Sequence, residues 1–457
     1  MKICLINPPS LHRYFDTIVR ASPSPTLAYL GGYLSNTDHQ VTLVDSKLEG
    51  LKLDEAANII GQTKPDLVGL TTCTADLPIS RSLARMIKSV NSGTKVVIGG
   101  AHPTALPERT LREEQWIDAA VVGEGEATLL DLANAIESKA DLRDVKGCAF
   151  RRGDEVIITP PRDPIDLNKT PIPAWGLMRS EKKYYVQVSR GCPGKCSFCY
   201  PMFGKRVRTV SPEKIIAEIE HILSLANPDE FILGAATFGI PRDHSMQVLN
   251  ALISSGINKK IKWRTITRVD IPDREMYALM KTAGCYQVGL GIESGDNRIL
   301  RQTGKYTRVD RIKECMATIR SVGLDTVGFF VFGHPTETKE SLRRTSDFAV
   351  DLNPTHLTIG IMTPWPGTEV HRLAIAGKAG YRLSNRSIEG SNKHFGPRVL
   401  LFENFSIFYL QWLRLRTYFL LYWKNARLKD GFRFFKNHLT EGLRFFLEMI
   451  LSPFRRD

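Results

Sequence analysis

The sequence predicts an α/β protein built from a doubly wound parallel sheet, a partial barrel of strands and helices, and a helical C-terminal tail. Two separate series of alternating strands and helices predict the sheet and the barrel, and a basic, aromatic segment with helical spacing predicts the tail. We expect the sheet at residues 1–140, a linker at 141–183, the barrel at 184–385 and the tail at 386–457.

The composition fits this organisation. Of the 457 residues, 42% are hydrophobic and 24% are charged, as in a globular protein with a sizeable core and unlike a disordered chain. The formal net charge is +14, and residues 404–457 carry ten Lys and Arg against four Asp and Glu. A basic balance suits nucleic acid, an anionic membrane or an acidic substrate as partner.

The first series alternates five strand-like runs with amphipathic helices, which predicts a flavodoxin-like parallel sheet covered on both faces. The expected strands are Lys2–Asn7, Val41–Asp45, Leu67–Thr71, Lys95–Gly100 and Ala119–Val122. The expected helices are Pro25–Leu34, Leu53–Ile60, Ile79–Val90, Leu106–Glu113 and Ala127–Ile136. Ligands of such sheets bind beyond the carboxyl ends of the strands.

Small and polar residues follow three successive strands of this series. They are Thr72, Cys73, Gly99, Gly100, His102, Gly123, Glu124 and Gly125. Paired glycines let a large ligand approach the backbone, and although one such pair is more often a tight turn, three strand ends together favour a binding site. His102 could equally cap a helix. None of these turns is a GxGxxG fingerprint, so a nicotinamide site is not expected.

Three of the eight cysteines, Cys192, Cys196 and Cys199, form a CxxxCxxC motif after a strand-like run at Tyr184–Ser189. Thiolates are the usual ligands of iron–sulfur clusters. Three of them can hold one face of a 4Fe–4S cluster and leave an open iron, which S-adenosylmethionine could chelate. Zinc is one alternative, but no second Cys or His pair follows at zinc-site spacing. Ordinary buried cysteines are the other.

The second series predicts a parallel barrel of the TIM type. Its expected later strands are Glu230–Leu233, Ile261–Thr267, Gln287–Ile292, Thr326–Phe332 and His356–Ile361. Functional residues of such barrels lie at the carboxyl ends of the strands. Glu293 stands at such an end, where it could accept hydrogen bonds from ribose hydroxyls. A solvated loop carboxylate is the alternative interpretation.

The motifs GCPGKCSFCY, GLGIESG, GHPTET and TPWPGT resemble the radical S-adenosylmethionine family over about residues 184–370. Upstream, GGAHPT followed about twenty residues later by VVGEGE is similar to the cobalamin-binding domain of the cobalamin-dependent members. The resemblance implies that the strand-end residues of the first series bind cobalamin. It implies that S-adenosylmethionine is bound near Phe198, Thr237, Arg268, Glu293 and Ser294.

The sequence departs from the family pattern at two places. It lacks the DxHxxG loop whose histidine ligates cobalt in domains of the methionine synthase type, and the surroundings of His12 do not fit that loop. We therefore expect no histidine on cobalt. Many relatives also carry acidic residues after the second barrel strand, where this chain reads LGAATF, so that Thr237 or the backbone must supply polar contacts.

The resemblance implies an enzyme that cleaves S-adenosylmethionine reductively to a 5′-deoxyadenosyl radical, with electrons from an external flavodoxin or ferredoxin. The expected activity is C-methylation of an unactivated carbon in a lipophilic or secondary-metabolite substrate, with one S-adenosylmethionine methylating cobalamin and a second supplying the radical. The layout is also similar to that of the anaerobic Mg-protoporphyrin monomethyl ester oxidative cyclase, which makes ring formation the alternative. A catalytically silent regulator is a third hypothesis.

Two aromatic, basic segments, Phe405–Trp423 and Phe432–Leu451, are expected to be helices. Such helices can lie in a membrane interface, or they can cap the barrel. Single-stranded nucleic acid is less expected, since no RNA-binding module accompanies them. The N-terminus lacks a signal-peptide core, and no run reaches about 18 uninterrupted apolar residues. We expect a cytoplasmic enzyme with peripheral membrane contact through the tail.

Overall fold

The computed structural model describes residues 1–10, 22–384, 387–389 and 399–437. His12 and the part of the expected second tail helix beyond residue 437 lie outside these residues. Buried apolar side chains of the barrel and of the tail join in one core, to which the first sheet's helices contribute only Ala28, and the first sheet has two further cores.

The first sheet has seven strands in the order β2-β1-β3-β4-β5-β6-β7. The strands are β1 (Lys2–Asn7), β2 (Gln40–Asp45), β3 (Leu67–Thr71), β4 (Lys95–Gly99), β5 (Ala119–Val121), β6 (Cys148–Arg152) and β7 (Glu155–Ile158). The helices are α1 (Pro25–Ser35), α2 (Ser46–Glu49), α3 (Leu53–Thr63), α4 (Leu77–Val90), α5 (Ala101–Ala105), α6 (Pro107–Glu113) and α7 (Glu126–Ser138). The five parallel strands have the flavodoxin-like order 2-1-3-4-5, as the sequence predicts.

Two antiparallel strands, β6 and β7, extend this sheet from within the segment that the sequence predicts as a linker. β6 pairs with β5, and β7 pairs with β6 across a turn at Gly153, whose φ of +60° suits glycine. The first sheet therefore runs to Ile158, and the division at residue 140 remains an expectation.

The second sheet is a partial barrel of six parallel strands in the order β15-β14-β13-β12-β11-β8. The strands of this region are β8 (Lys183–Gln187), β9 (Ser189–Arg190), β10 (Arg208–Thr209), β11 (Glu230–Gly234), β12 (Trp263–Arg268), β13 (Cys285–Glu293), β14 (Asp325–Phe332) and β15 (His356–Ile361). The helices are α8 (Pro212–Leu225), α9 (Arg242–Ser254), α10 (Arg274–Thr282), α11 (Asn297–Gln302), α12 (Val309–Ser321), α13 (Lys339–Leu352) and α14 (Glu369–Ile375). β8 and β15 are the two edges, so the barrel is open on one side.

The concave face of this sheet, which we call the lumen, is apolar in its middle. A Cβ placed on Gly289 would lie 2.8 Å from the Phe329 ring and 3.2 Å from Cγ1 of Ile266, so these two side chains flank the glycine on one face. Ile266 is 47% exposed there, while its neighbours Thr265 and Thr267 are buried under the helices. Ile266 and Phe329 thus pack over Gly289, and the lumen presents their apolar surfaces.

One buried contact ties the first domain to the barrel. The Tyr29 hydroxyl on α1 donates to Glu218 on α8 at 2.8 Å, and Nε1 of Trp175 donates to the same carboxylate at 3.1 Å. The backbone N–H of Gln187 donates to the Tyr29 oxygen at 2.8 Å. Burial raises the pKa of Glu218 to about 7. This part of the interface between the two domains therefore contains one titratable carboxyl.

The C-terminal part consists of a short antiparallel pair and two helices. These elements are β16 (Tyr381–Leu383), β17 (Leu400–Phe402), α15 (Ile407–Lys424) and α16 (Leu428–Asn437). α15 packs on α13, where the hydroxyls of Thr417 and Ser346 lie 2.7 Å apart. The N–H of Ile359 on the edge strand β15 donates to the Tyr418 hydroxyl at 3.1 Å. α15 thus covers one edge of the barrel. Within the described part of the chain, no helix has the length and apolarity to cross a bilayer.

Candidate active site

The carboxyl ends of β3, β4 and β5 border a cavity of about 350 Å³ between the first sheet and the barrel. The predicted residues that line it are Thr72, Cys73, Gly99, Gly100, Gly123, Glu124 and Gly125. The barrel side contributes Tyr185, Gln187, Arg190, Met202 and Phe203, which sequence reasoning missed. A ligand in this cavity would contact both domains at once.

Glycine is required at the mouth of this cavity. Gly100 has a φ of +109°, and a Cβ there would lie 2.7 Å from the carbonyl oxygen of Thr72. Gly123 also has a positive φ, and a Cβ there would meet nothing within 4 Å. The first glycine lets two strand ends approach each other, and the second leaves room at the rim. This arrangement fits a bulky group such as the nucleotide tail of cobalamin.

His102, in contrast, does not line the cavity. It is buried in α5, and its Nδ1 lies 3.1 Å from the Thr74 hydroxyl oxygen. Burial lowers the pKa of His102. The structure thus gives this residue a local hydrogen bond. The prediction that cobalt has no histidine ligand stays a prediction, because the structure does not describe His12.

A buried ion-pair network joins the cavity to the cysteine loop. Arg190 contacts the carboxylate of Glu126 and lies 3.3 Å from that of Glu124, and Arg208 also contacts Glu124. The Arg190 guanidinium stands 5.0 Å from the centre of the Phe203 ring. Both carboxylates belong to the first domain and both arginines to the barrel region. Because Arg190 is two residues before Cys192, the network couples the cavity wall to the loop.

The cysteine loop has one internal backbone hydrogen bond and two that hold it to the barrel. The N–H of Cys192 donates to the carbonyl of Gly204 at 3.2 Å, and that of Ser197 donates to Thr303 at 2.9 Å. The N–H of Val370 donates to the Ser197 carbonyl at 3.1 Å. These bonds fix the loop over the carboxyl ends of the strands.

The three thiols lie around this loop with different exposure. Cys192 and Cys196 are half-buried and Cys199 is exposed. A Cβ on Gly194 would lie 3.3 Å from Sγ of Cys192 and 3.9 Å from Sγ of Cys196, so both sulfurs face the glycine. Among the described residues, no three His, Cys, Asp or Glu side chains converge tightly enough for a single metal ion. Three thiols in one short loop, two of them around the same glycine, fit a 4Fe–4S cluster, which cysteine thiolates bind.

Two cationic side chains lie beside the thiols. Arg268 at the end of β12 has its Nη1 3.6 Å from the Cβ position of Gly194, and it donates to Asp270 at 2.6 and 2.8 Å. Burial raises the pKa of the Cys196 thiol, and Lys305 opposes this rise. The positive charges favour the thiolate form that iron requires.

Glu293 ends β13 in a strained conformation. Its φ is +70°, and the register of β13 against β14 shifts between Gly291 and Glu293. Nζ of Lys305 donates to its carboxylate at 3.1 Å, and both side chains are buried. A Cβ on Gly291 would lie 2.6 Å from the Glu293 carboxylate, so glycine makes room for this pair. Strain of this kind is typical of binding sites, where the surrounding structure holds it in place.

The other predicted S-adenosylmethionine residues differ in their surroundings. The hydroxyl of Thr237 donates to the Ala236 carbonyl at 2.7 Å and lies 3.6 Å from Sγ of Cys192. Ser294 is fully buried, with its hydroxyl 2.9 Å from that of Thr345 on α13. Thr237 therefore stands beside the cysteine loop, whereas Ser294 packs the strand end against a helix.

His334 lies in the GHPTET motif, but the sequence did not predict it as a site residue. The ring centre of Phe198 lies 5.6 Å from that of His334, edge to face. His334 is buried, and neither ring nitrogen has a hydrogen-bond partner among the residues that the structure describes. Burial lowers the pKa of His334 to about 4, so the imidazole is neutral at physiological pH.

Comparisons with known proteins agree with this geometry. The family model described as the radical SAM superfamily matches residues 186–349, and that of the B12 binding domain matches residues 15–133. An uncharacterized methyltransferase of Pyrococcus horikoshii is 32% identical over 386 residues, which cover 82% of this chain and 83% of the relative. The anaerobic magnesium-protoporphyrin IX monomethyl ester cyclase of Rubrivivax gelatinosus is 31% identical over 387 residues, covering 81% and 69%.

Among solved structures, the chain is similar to the radical S-adenosylmethionine methyltransferase TsrM of Kitasatospora setae with cobalamin and a 4Fe–4S cluster bound. The TM-score is 0.71 at 17% sequence identity, and the match covers 88% of this chain and 84% of that one. At this identity the likeness shows a common fold, including the order of the two domains.

Proposed function

The chain belongs to the cobalamin-dependent radical S-adenosylmethionine enzymes, and from this membership we propose that it transfers a methyl group to a carbon atom of a lipophilic small molecule. Its cofactors are a 4Fe–4S cluster, S-adenosylmethionine and cobalamin. When bound, the cluster and S-adenosylmethionine supply a radical that abstracts hydrogen, and cobalamin carries the methyl group.

The observation that carries this proposal is the shared wall between the cavity and the lumen. Tyr185 lines the cavity, and its ring lies against Gly234, where a Cβ would stand 1.8 Å from the ring carbon Cζ. Gly234 ends β11, beside the lumen. A substrate in the lumen would thus lie close to the cysteine loop and be separated from the cavity by the Tyr185 ring, and radical methylation requires both cofactors near the substrate.

Different residues of the chain bind each cofactor. Cys192, Cys196 and Cys199 hold the cluster. The carboxylate of Glu293 accepts hydrogen bonds from ribose hydroxyls, and Lys305 balances its charge. The predicted strand-end residues that line the cavity hold cobalamin.

The lumen supports a lipophilic substrate. Ile266 and Phe329 pack over Gly289 on the lumen side, and burying their apolar surfaces against an apolar substrate is favourable. A polar substrate would leave its hydrogen-bonding groups unpaired against these side chains, which is costly.

Ring formation is the second candidate. It is favoured by the 31% identity to the protoporphyrin cyclase over 81% of this chain.

Two further partners belong to the proposal. An external flavodoxin or ferredoxin supplies electrons to the exposed side of the cysteine loop, where Cys199 lies at the surface. The C-terminal part makes peripheral contact with a membrane, which would bring the enzyme to lipophilic substrates.

An anaerobic assay of the reduced, cofactor-loaded protein tests the proposal. Methyl transfer from S-adenosylmethionine leaves S-adenosylhomocysteine, whereas ring closure leaves none. Deoxyadenosine together with S-adenosylhomocysteine, and a product heavier by one methylene, supports methylation. Deoxyadenosine alone, with a product that gains oxygen or loses hydrogen, supports the cyclase. A complete lack of both deoxyadenosine and S-adenosylhomocysteine would indicate a regulator and refute both.

A further inference from the structure

The outward face of α15 is apolar along its whole length. Every residue from 407 to 423 that is exposed carries a large apolar side chain. These residues, which we call the outer stripe, are Phe408, Trp412, Leu415, Phe419 and Trp423, with exposures between 39% and 62%. Their spacing of three or four places them on one side of the helix. A solvated helix would carry charged residues on this side.

The opposite face of α15 packs against the barrel. Leu410, Leu413 and Leu421 are fully buried in the barrel core, and Thr417 and Tyr418 make the hydrogen bonds to α13 and β15 described above. The helix therefore cannot rotate to hide the outer stripe without exposing this core. The outer stripe therefore remains exposed in this fold. Only a surface other than the described residues could bury it.

The charges around the outer stripe indicate the cover. Residues 406–437 contain seven Lys and Arg but one acidic residue, and that residue, Asp430, lies 3.2 Å from Arg427. The exposed basic residues beyond the stripe are Lys424, Lys429, Arg433 and Lys436. Leu428 and Phe432, which lie on α16, are also exposed. Aromatic and apolar side chains next to Lys and Arg, in a segment with one acidic residue, complement an anionic lipid surface.

We infer that the outer stripe and the exposed end of α16 dock the enzyme on an anionic membrane, with α15 lying in the plane of the interface. The inference rests on the proposal that the substrate is lipophilic. It identifies the surface that would bring the enzyme to a membrane that holds such a substrate. The helix thus has two roles, since its inner face caps the barrel while its outer face binds lipid. Removing the whole tail would destroy both, so substitutions on the outer face are the appropriate test.

The test uses the full-length, cofactor-loaded protein and vesicles of phosphatidylcholine, with or without phosphatidylglycerol, in a co-sedimentation assay. Wild-type protein should bind the mixed vesicles more tightly than the neutral ones, and added salt should weaken this binding. The double variant Trp412→Ser/Phe419→Ser should bind at least about tenfold more weakly. The matched control Ile172→Ser/Leu177→Ser removes two apolar residues of similar exposure, 42% and 50%, from another surface and should bind as wild type does.

Three results would overturn the inference: no binding of the wild type to mixed vesicles at low salt, equal binding of the stripe variant, or equal loss in the control. A wild-type dimer that the stripe variant converts to monomer, with no vesicle binding, would show that a second copy covers the stripe. Deoxyadenosine and S-adenosylhomocysteine are measured in the same samples. Loss of these products with intact vesicle binding refutes the proposed function alone, and the reverse result refutes the docking surface alone.

Discussion

Gly191, directly before the first cysteine, offers a sharp test of how the loop is positioned. Its φ is +90°, and a Cβ would lie 2.1 Å from the carbonyl oxygen of Arg206. Such contacts are essentially never closer than 3.0 Å, so Gly191→Ala must displace the loop by about 1 Å. A displacement of this size in an active site can reduce the rate about 100-fold. The left-handed conformation adds about 1–2 kcal/mol of strain.

Gly204→Ala is the matched control. Gly204 also has a positive φ, +75°, and its carbonyl accepts the hydrogen bond from Cys192, but a Cβ there would meet nothing within 4 Å. It should therefore show only the conformational strain, with iron content and rate close to wild type. Iron analysis and anaerobic deoxyadenosine formation are the measurements, and both variants should retain cobalamin. Wild-type iron and rate in Gly191→Ala, or equal damage in both variants, would refute this reasoning.

Three other predictions concern the cluster, cobalt and the domain interface. Cys196→Ala should lose about four irons per chain and all deoxyadenosine formation, whereas Cys315→Ala on α12 should keep both; a variant at 196 with wild-type iron would contradict the cluster assignment. Electron paramagnetic resonance of the cob(II)alamin form should show no nitrogen splitting that depends on a histidine, and splitting that vanishes on replacing His12 or His102 would disprove this. Folding raises the pKa of the Glu218 carboxyl from 4.5 to about 7, so the free energy of unfolding should fall by about 3 kcal/mol as pH rises through this window. The urea concentration at the unfolding midpoint should therefore decrease between pH 5 and 7 in the wild type and stay nearly constant in Glu218→Gln. The same dependence on pH in both proteins would contradict this prediction.

Much of the fold could be predicted from the sequence, because apolar periodicity is a local signal. β15, for example, has the predicted bounds His356–Ile361, and the parallel order of the first sheet follows from its alternation. The predicted family and cofactors are confirmed by the comparisons. β6 and β7 were missed because β7 is half-exposed at the sheet edge and the charged run between them interrupts the apolar pattern.

The candidate site was predictable only where its residues are close in sequence. The three cysteines lie in one short motif, so that spacing alone reveals them. The partner of Arg190, Glu126, is 64 residues away, and that of Glu293, Lys305, is 12 away, so only the folded chain brings these charges together. The roles of the predicted cofactor residues stay predictions. For the tail, spacing could not decide between a cap and a membrane helix, because α15 is apolar on both faces.

The network of Arg190 and Arg208 with Glu124 and Glu126 bears on how such enzymes can diversify by recombination. Each pair takes its carboxylate from one domain and its guanidinium from the other, and burial makes an unmatched charge costly. A hybrid that joins the first domain of one relative to the barrel of another would keep its cysteine loop in register only if both halves bring complementary charges. A substitution in the lumen, in contrast, leaves these charges paired.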